Sequence, residues 1–387
     1  MKSRPDPHSP SVAPAESTDA ARFEDLQPAA RGSRLAPLAV RGAGARDSRG
    51  FVIVTLAVAA ALLIAVAAIN AVVDPFGSVG TGVVGTVTWD DRAIKVDLVR
   101  DLKRAPRIVV FGSSRAMKIQ PAYITARTGE SSFNAAVSSG APVDTWVFAN
   151  LIHDTFPDEK PRYLWLLDVE AFLDRRVDPG LLNQSALAAY LPGGLRGTTR
   201  VRQLPLLFSW NTLKMSYRAL RMQLRPHGRT DAGGSQFDAD GFRRLDFHDR
   251  KVTAGVSLAA ELRKSVRAVT KTYADDYARL SPEAERYFEK TLALMNSLGA
   301  EPVVVLSPLH PVLLAAVEPV GWAARHRDVL AYLDSLHSRY RFHVLDYSRI
   351  GSFGGSPQAF YDGYHMTVAN TRKLVDAVLA ADGSALH

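Results

Sequence analysis

The chain has 387 residues, 47% of them hydrophobic and 22% charged, a formal net charge of +8 and no cysteine. That length suits one large domain or two ordinary ones, and the apolar balance is that of a chain with a packed core rather than a disordered one. The missing cysteines exclude a disulfide scaffold, a thiolate zinc site, an iron–sulfur cluster and a cysteine nucleophile.

Residues 1–50 are rich in Pro, Ala, Ser and Arg and lack periodicity, which predicts a disordered tail. Residues 51–73 (FVIVTLAVAAALLIAVAAINAVV) form an uncharged run of 23 residues in which only Thr55 and Asn70 are polar. At about 1.5 Å per residue a helix here covers about 34 Å, enough for a hydrocarbon core of about 30 Å. The run is too long and too far from the N-terminus for a cleaved signal peptide, so it predicts an uncleaved transmembrane signal anchor. Arg41, Arg46 and Arg49 precede it, and no Lys or Arg follows until Arg92. The positive-inside rule then puts the tail in the cytoplasm and residues 74–387 in the periplasm or outside the cell, a single-pass protein of the inner (cytoplasmic) membrane.

Residues 74–387 alternate short apolar runs with helical patterns. The predicted strands are Arg107–Gly112, Ser131–Asn134, Tyr163–Asp168, Pro302–Ser307 and Phe342–Asp346. The predicted helices are Val143–Phe156, Leu258–Leu298 with an interruption at Pro282, Gly321–Tyr340 and Met366–Ala381. This alternation predicts an α/β domain built on a doubly wound parallel sheet, with ligands at the carboxyl ends of the strands. Residues 175–255 interrupt the rhythm and read as an insertion. Within it, residues 179–230 hold Arg196, Arg200, Arg202, Lys214, Arg218, Arg221, Arg225 and Arg229 and no acid, so this stretch carries the whole charge imbalance. No nucleic-acid-binding signature accompanies it, and nucleic acid is not expected as a partner. An anionic polymer, an anionic membrane surface or a solvated helix face each suits such a patch.

The strand ends carry the chemistry. Gly112-Ser113-Ser114-Arg115 follows the first strand, and Asn134 to Gly140 (NAAVSSG) follows the second. Asp168 and Glu170 follow the third, Ser307 and His310 the fourth, and Asp362-Gly-Tyr-His365 precedes the last helix. A parallel sheet brings all of these to one edge, and a serine, a histidine and an aspartate are the parts of a nucleophilic acyl-transfer site. Each has a plainer reading: GSSR as a tight turn, His310 before Pro311 as a helix cap, and the second Asp-x-x-His copy, Asp334 to His337, as the polar face of a helix. No metal-ligand spacing involves His310 or His326, no Gly-rich loop with lysine is present, and no cofactor is expected.

In combination VVFGSSR, NAAVSSG and DGYHMT resemble the blocks of the SGNH/GDSL hydrolases, over residues 105–175 and 285–381. The resemblance implies a flavodoxin-like SGNH fold with Ser114 as nucleophile, His365 as base, Asp362 as its orienting acid and Gly140 as an oxyanion donor. The family's third block supplies an oxyanion asparagine where this chain reads LLDVEAF, so Asn134 or Arg115 becomes the substitute donor, with His310 as a further binding residue. The anchor, the insertion and the missing asparagine resemble a membrane-anchored branch that serves cell-envelope O-acylation, of the alginate O-acetylation or teichoic-acid D-alanylation type. That implies an esterase or O-acyltransferase acting on an acylated polysaccharide or acyl donor, with a polytopic membrane acyltransferase as a possible partner. A catalytically silent glycan-binding or scaffold protein of that fold, and a tethered interaction protein, are the alternatives.

Overall fold

A computed structural model of the chain describes residues 45–75, 91–175, 177–192, 205, 207–223, 236–244 and 247–386. The chain divides into two units, Met1–Leu56 and Ala57–His387. The expected tail lies outside the described residues, apart from 45–50. Those residues are helical, because helix α1 (Ala45–Val73) starts six residues ahead of the apolar run. Its stretch Arg49–Val73 is long and apolar enough to cross a membrane, and none of its most apolar window is buried by protein.

The second unit is a mixed α/β structure around one five-stranded parallel sheet. In chain order the elements are α2 (Asp91–Asp101), β1 (Ile108–Gly112), α3 (Pro121–Thr128), β2 (Ser132–Asn134), α4 (Pro142–Thr155) and β3 (Arg162–Leu167). There follow α5 (Trp210–Gln223), α6 (Phe247–Thr253), α7 (Leu258–Lys271), α8 (Pro282–Ser297), β4 (Val303–Leu306), α9 (Pro311–Val317), α10 (Trp322–Leu336), β5 (His343–Asp346) and α11 (Val368–Leu386). The strand order is β2-β1-β3-β4-β5, with Val110 level with both Asn134 and Leu164, and Val305 level with both Leu166 and Leu345. Ile108 to Phe111, Leu164 to Leu167 and Val303 to Leu306 are almost wholly buried. Strands covered by protein on both faces need such continuous apolar runs rather than alternating ones. The sheet buries them against helices: the rings of Trp165 on β3 and Phe288 on α8 lie 4.7 Å apart.

Three helices outside the insertion, α2, α3 and α9, are not among the expected ones. Helix α2 turns charged side chains inward: buried Arg92 donates to Asp144 at 2.8 Å, and Asp91 accepts the Ser138 N–H at 3.1 Å. Lys95, also on α2, is fully buried and donates to the carbonyls of Asn134 and, at 2.5 Å, Gly241. Burial pushes its pKa from 10.5 down to about 7. This lysine ties the insertion to the end of β2. Helices α3 and α9 are short and begin at Pro121 and Pro311, where the fixed proline φ suits a first turn. The helical stretch from Leu258 is broken before Pro282, as expected, and the break starts earlier than Pro282, with a wide turn at Thr272–Asp276 and a loop that ends where the Ser281 N–H donates to the Phe172 carbonyl.

Candidate active site

All five strands run the same way, so the residues after each strand gather at one edge of the sheet. β1 ends at Gly112, whose φ of 148° lies where only glycine is at ease. A Cβ there would stand 2.6 Å from the Leu166 carbonyl oxygen. Gly140 is equally constrained, because a Cβ on it would come within 2.5 Å of the Gly112 carbonyl oxygen. The two glycines let the β1 turn and the loop after β2 touch. Between them the chain turns tightly, with the Ala116 N–H on the Ser113 carbonyl at 3.0 Å and the Arg115 N–H on the Ser113 Oγ at 3.2 Å. Ser114 stands half-buried on this turn.

Ser114 Oγ lies 2.8 Å from His365 Nε2, a residue 251 positions away. His365 Nδ1 lies 2.9 Å from Asp362 Oδ2 and 3.0 Å from Oδ1. With Nδ1–H donated to the carboxylate, Nε2 is the acceptor for the Ser114 hydroxyl. Asp362 Oδ1 also accepts the N–H groups of Tyr364 at 2.7 Å and His365 at 2.9 Å, which locks the Asp-x-x-His turn. Burial pushes the Asp362 carboxyl up, but the hydrogen bond and charge of His365, with the two N–H groups, outweigh it and hold the carboxyl well below the usual range. These three side chains are therefore brought together in the order a proton relay requires, at the mouth of a cavity of about 300 Å³ that Ser114, Gly140 and His365 help to line.

The other expected site residues fare differently. The Arg115 backbone adjoins Ser114 and the residue helps to line the same cavity, but its guanidinium is buried and taken up by other partners. It reaches Ser307 Oγ at 2.9 Å, Glu170 at 3.0 Å and Asp168 at 3.5 Å, with the Tyr364 ring 4.9 Å from its centre. Burial opposes the cation, but the Asp168 and Glu170 charges overcome it and raise its pKa; burial likewise opposes the Glu170 anion, and Arg115 overrides it. The two acids standing where the resemblance lacks an asparagine thus share the one Arg115 guanidinium. Asn134 is fully buried, with Nδ2 on the carbonyls of Ala116 (2.9 Å) and Ile119 (2.8 Å) and Oδ1 on the Ala136 N–H (3.0 Å). All of its amide is used in holding loops, so it does not substitute for the missing donor.

Gly140 does line the cavity, but its N–H donates to the Val137 carbonyl at 3.0 Å. Among the described residues of this wall, the N–H groups of Ser114 and Ser139 have no protein acceptor. Ser139 holds a φ of 53°, an unusual conformation for a residue other than glycine. His310 lies outside the cavity lining. Its Nδ1 accepts the Val312 N–H at 3.1 Å as the cap of α9, its ring meets Phe360 edge-on at 5.3 Å, and burial lowers its pKa. The capping reading of His310 therefore replaces the binding one.

Sequence reasoning missed His248. This buried residue of α6 places Nδ1 3.5 Å from Asp362 Oδ2 and its ring centre 4.3 Å from that of His365. Next to it Asp249 receives Lys118 Nζ at 2.5 Å and the Tyr361 hydroxyl at 2.6 Å, so the insertion is clamped over the Asp362 turn. No spacing relates His248 to Asp362, and no local signal marks it. Among the described residues, His248, Asp362 and His365 are the group whose donor atoms lie close enough, within 4.8 Å, to hold a metal ion. A cation there would have to displace the Asp362–His365 bond, since both ring nitrogens of His365 are already engaged. No family model matches the chain, and comparison with curated proteins finds no match.

Proposed function

We propose that the chain is a membrane-anchored serine esterase or O-acyltransferase of SGNH-like, doubly wound architecture, acting on acyl esters of a cell-envelope or extracellular polysaccharide. The observation that carries this reading is the unbroken chain of hydrogen bonds from Ser114 through His365 to Asp362 beside a cavity. His365 Nε2 takes the Ser114 proton as Oγ attacks an ester carbonyl, and Asp362 stabilises the imidazolium that forms. The oxyanion is met by the N–H groups of Ser114 and Ser139 in place of the asparagine and the Gly140 N–H that the family resemblance implies. His365 then returns its proton to the departing alcohol. The acyl group on Ser114 passes to water in an esterase, or to a sugar hydroxyl in a transferase, where a polytopic membrane acyltransferase would be the partner supplying the acyl donor.

The reading is tested on the full chain in detergent or lipid discs. A serine-reactive phosphonate should label Ser114 alone, and Ser114→Ala should abolish both labelling and turnover of a small acetyl ester. Turnover that survives Ser114→Ala overturns the mechanism. A wild-type chain that is neither labelled nor active on acetyl esters and glycan acceptors is the silent glycan-binding or scaffold protein instead.

A further inference from the structure

The basic stretch that carries the charge imbalance is only partly described. Arg196, Arg200, Arg202, Arg225 and Arg229 lie outside the described residues, whereas Lys214, Arg218 and Arg221 all sit on α5. That helix is docked on the end of α1. Asn70, one of two polar residues in the apolar run, is buried there: its Nδ2 donates to the Leu207 carbonyl at 2.7 Å and the Ser209 carbonyl at 3.3 Å, and its Oδ1 accepts the Ser216 hydroxyl at 2.8 Å. One turn further on, Val73 and Ala219 form a small buried pair. Thr212, Ser216 and Ala219 are thus the face of α5 turned to protein.

The rest of α5 is divided into two stripes. At 3.6 residues per turn Trp210, Leu213, Tyr217 and Leu220 share an arc of about 80°, and Lys214, Arg218 and Arg221 share an adjoining arc of about 60°. Trp210 is 67% exposed, Tyr217 64% and Phe208, just ahead of the helix, 48%. Large aromatic side chains are not left in water in such a cluster without a partner. Aromatic rings beside cations, level with the end of an apolar span, match the boundary between acyl chains and head groups, where Trp and Tyr concentrate and Lys and Arg meet anionic phosphates.

We propose that α5 lies in the head-group layer of the bilayer that α1 crosses, with Trp210, Tyr217 and Leu220 at the acyl boundary and Lys214, Arg218 and Arg221 on anionic phospholipid. The inference rests on reading α1 as a membrane span, and it goes beyond the anchor itself. The Asn70 amide makes the span and the surface helix one unit.

The absence of cysteine permits a direct test with the full chain in lipid discs of phosphatidylcholine with about one-third phosphatidylglycerol. Single probes are placed by Leu220→Cys, by Ile64→Cys in the middle of the span and by Asp334→Cys at an exposed position of α10. The Ile64 probe should be quenched by deep nitroxide lipids, the Leu220 probe by shallow ones, and the Asp334 probe by aqueous iodide alone. Reversing Lys214, Arg218 and Arg221 to Glu should expose the Leu220 probe to iodide in the anionic discs. Each cation should contribute about fivefold to the bound population, and raised salt should produce the same release in the unreversed chain. An Ile64 probe that deep lipids do not reach overturns the span reading. A Leu220 probe open to iodide while the Ile64 probe is in lipid overturns the proposal alone. Protection of that open probe by polygalacturonate would assign the face to an anionic glycan.

Discussion

Two sets of serine, histidine and aspartate stand at the same edge of the sheet, and only one is wired as a relay. In the first, His365 meets Ser114 through Nε2 and Asp362 through Nδ1. In the second, Ser348 Oγ at 3.3 Å and Asp346 Oδ2 at 3.0 Å both meet His326 Nε2. A proton taken by that nitrogen cannot be balanced from the opposite side of the ring, and stacking on Trp322 at 4.6 Å makes His326 a packing group. Ser348 is also 1% exposed, beyond the reach of a substrate, whereas Ser114 lines the cavity. Residue types and proximity are therefore not enough; the use of opposite ring nitrogens separates a relay from a hydrogen-bonded cluster.

The comparison is broken most severely at the serines. Ser114→Ala should abolish acetyl-ester turnover, and Ser348→Ala should leave it within twofold, both read as kcat/KM on the full chain. Next comes Asp362→Asn, which should keep the fold yet lower kcat by about 10⁴, because an amide favours the wrong tautomer of His365. The corresponding Asp346→Asn should leave kcat unchanged.

A finer test is His248, which touches Asp362 and His365 but reaches neither Ser114 nor a substrate, and so acts as a positioning residue. His248→Ala should lower kcat about tenfold, the size of one lost polar contact of about 1.4 kcal/mol, with KM unchanged. His248→Gln should recover part of that loss and the wild-type pH profile, whereas a purely packing role would change the melting temperature alone.

The smallest effect is a dependence of stability on pH. Burial raises the Asp346 carboxyl, but hydrogen bonds from His326 and Ser348 outweigh it and depress the pKa to about 2. A carboxyl with a depressed native pKa stabilises the fold above its unfolded value of about 4, and the benefit fades as pH falls through the native value. Urea titrations should therefore find Asp346→Asn less stable than wild type at pH 6, with the gap closing between about pH 4 and pH 2 and turnover at neutral pH unaltered.

Much of this architecture was legible because it is written locally. Each of the five strands overlaps a segment read as a strand, although β2 (Ser132–Asn134) is hardly apolar, and the order Ser114, Asp362, His365 could be placed on loop positions from those segments. The two Asp-x-x-His copies could also be separated, since Asp334 and His337 lie inside a helical pattern and prove to be exposed on and just after α10. The polar helix α2 was not legible, because its inward side chains are charged and their partners Asp144, Asn134 and Gly241 are distant in sequence.

By itself the sequence determined the membrane-length apolar helix, the parallel strands and the loops on which the site stands, since hydrophobic period and length depend only on neighbours along the chain. Only the tertiary structure decided how the polar groups pair. It directed Asn134 and the Gly140 N–H into loop-holding bonds, and turned Arg115 onto two acids. It also laid His248 against Asp362, and fastened α5 to Asn70 across a separation of 146 residues. Hydrogen bonds form between whichever groups the fold brings within about 3 Å, and no local periodicity records that distance.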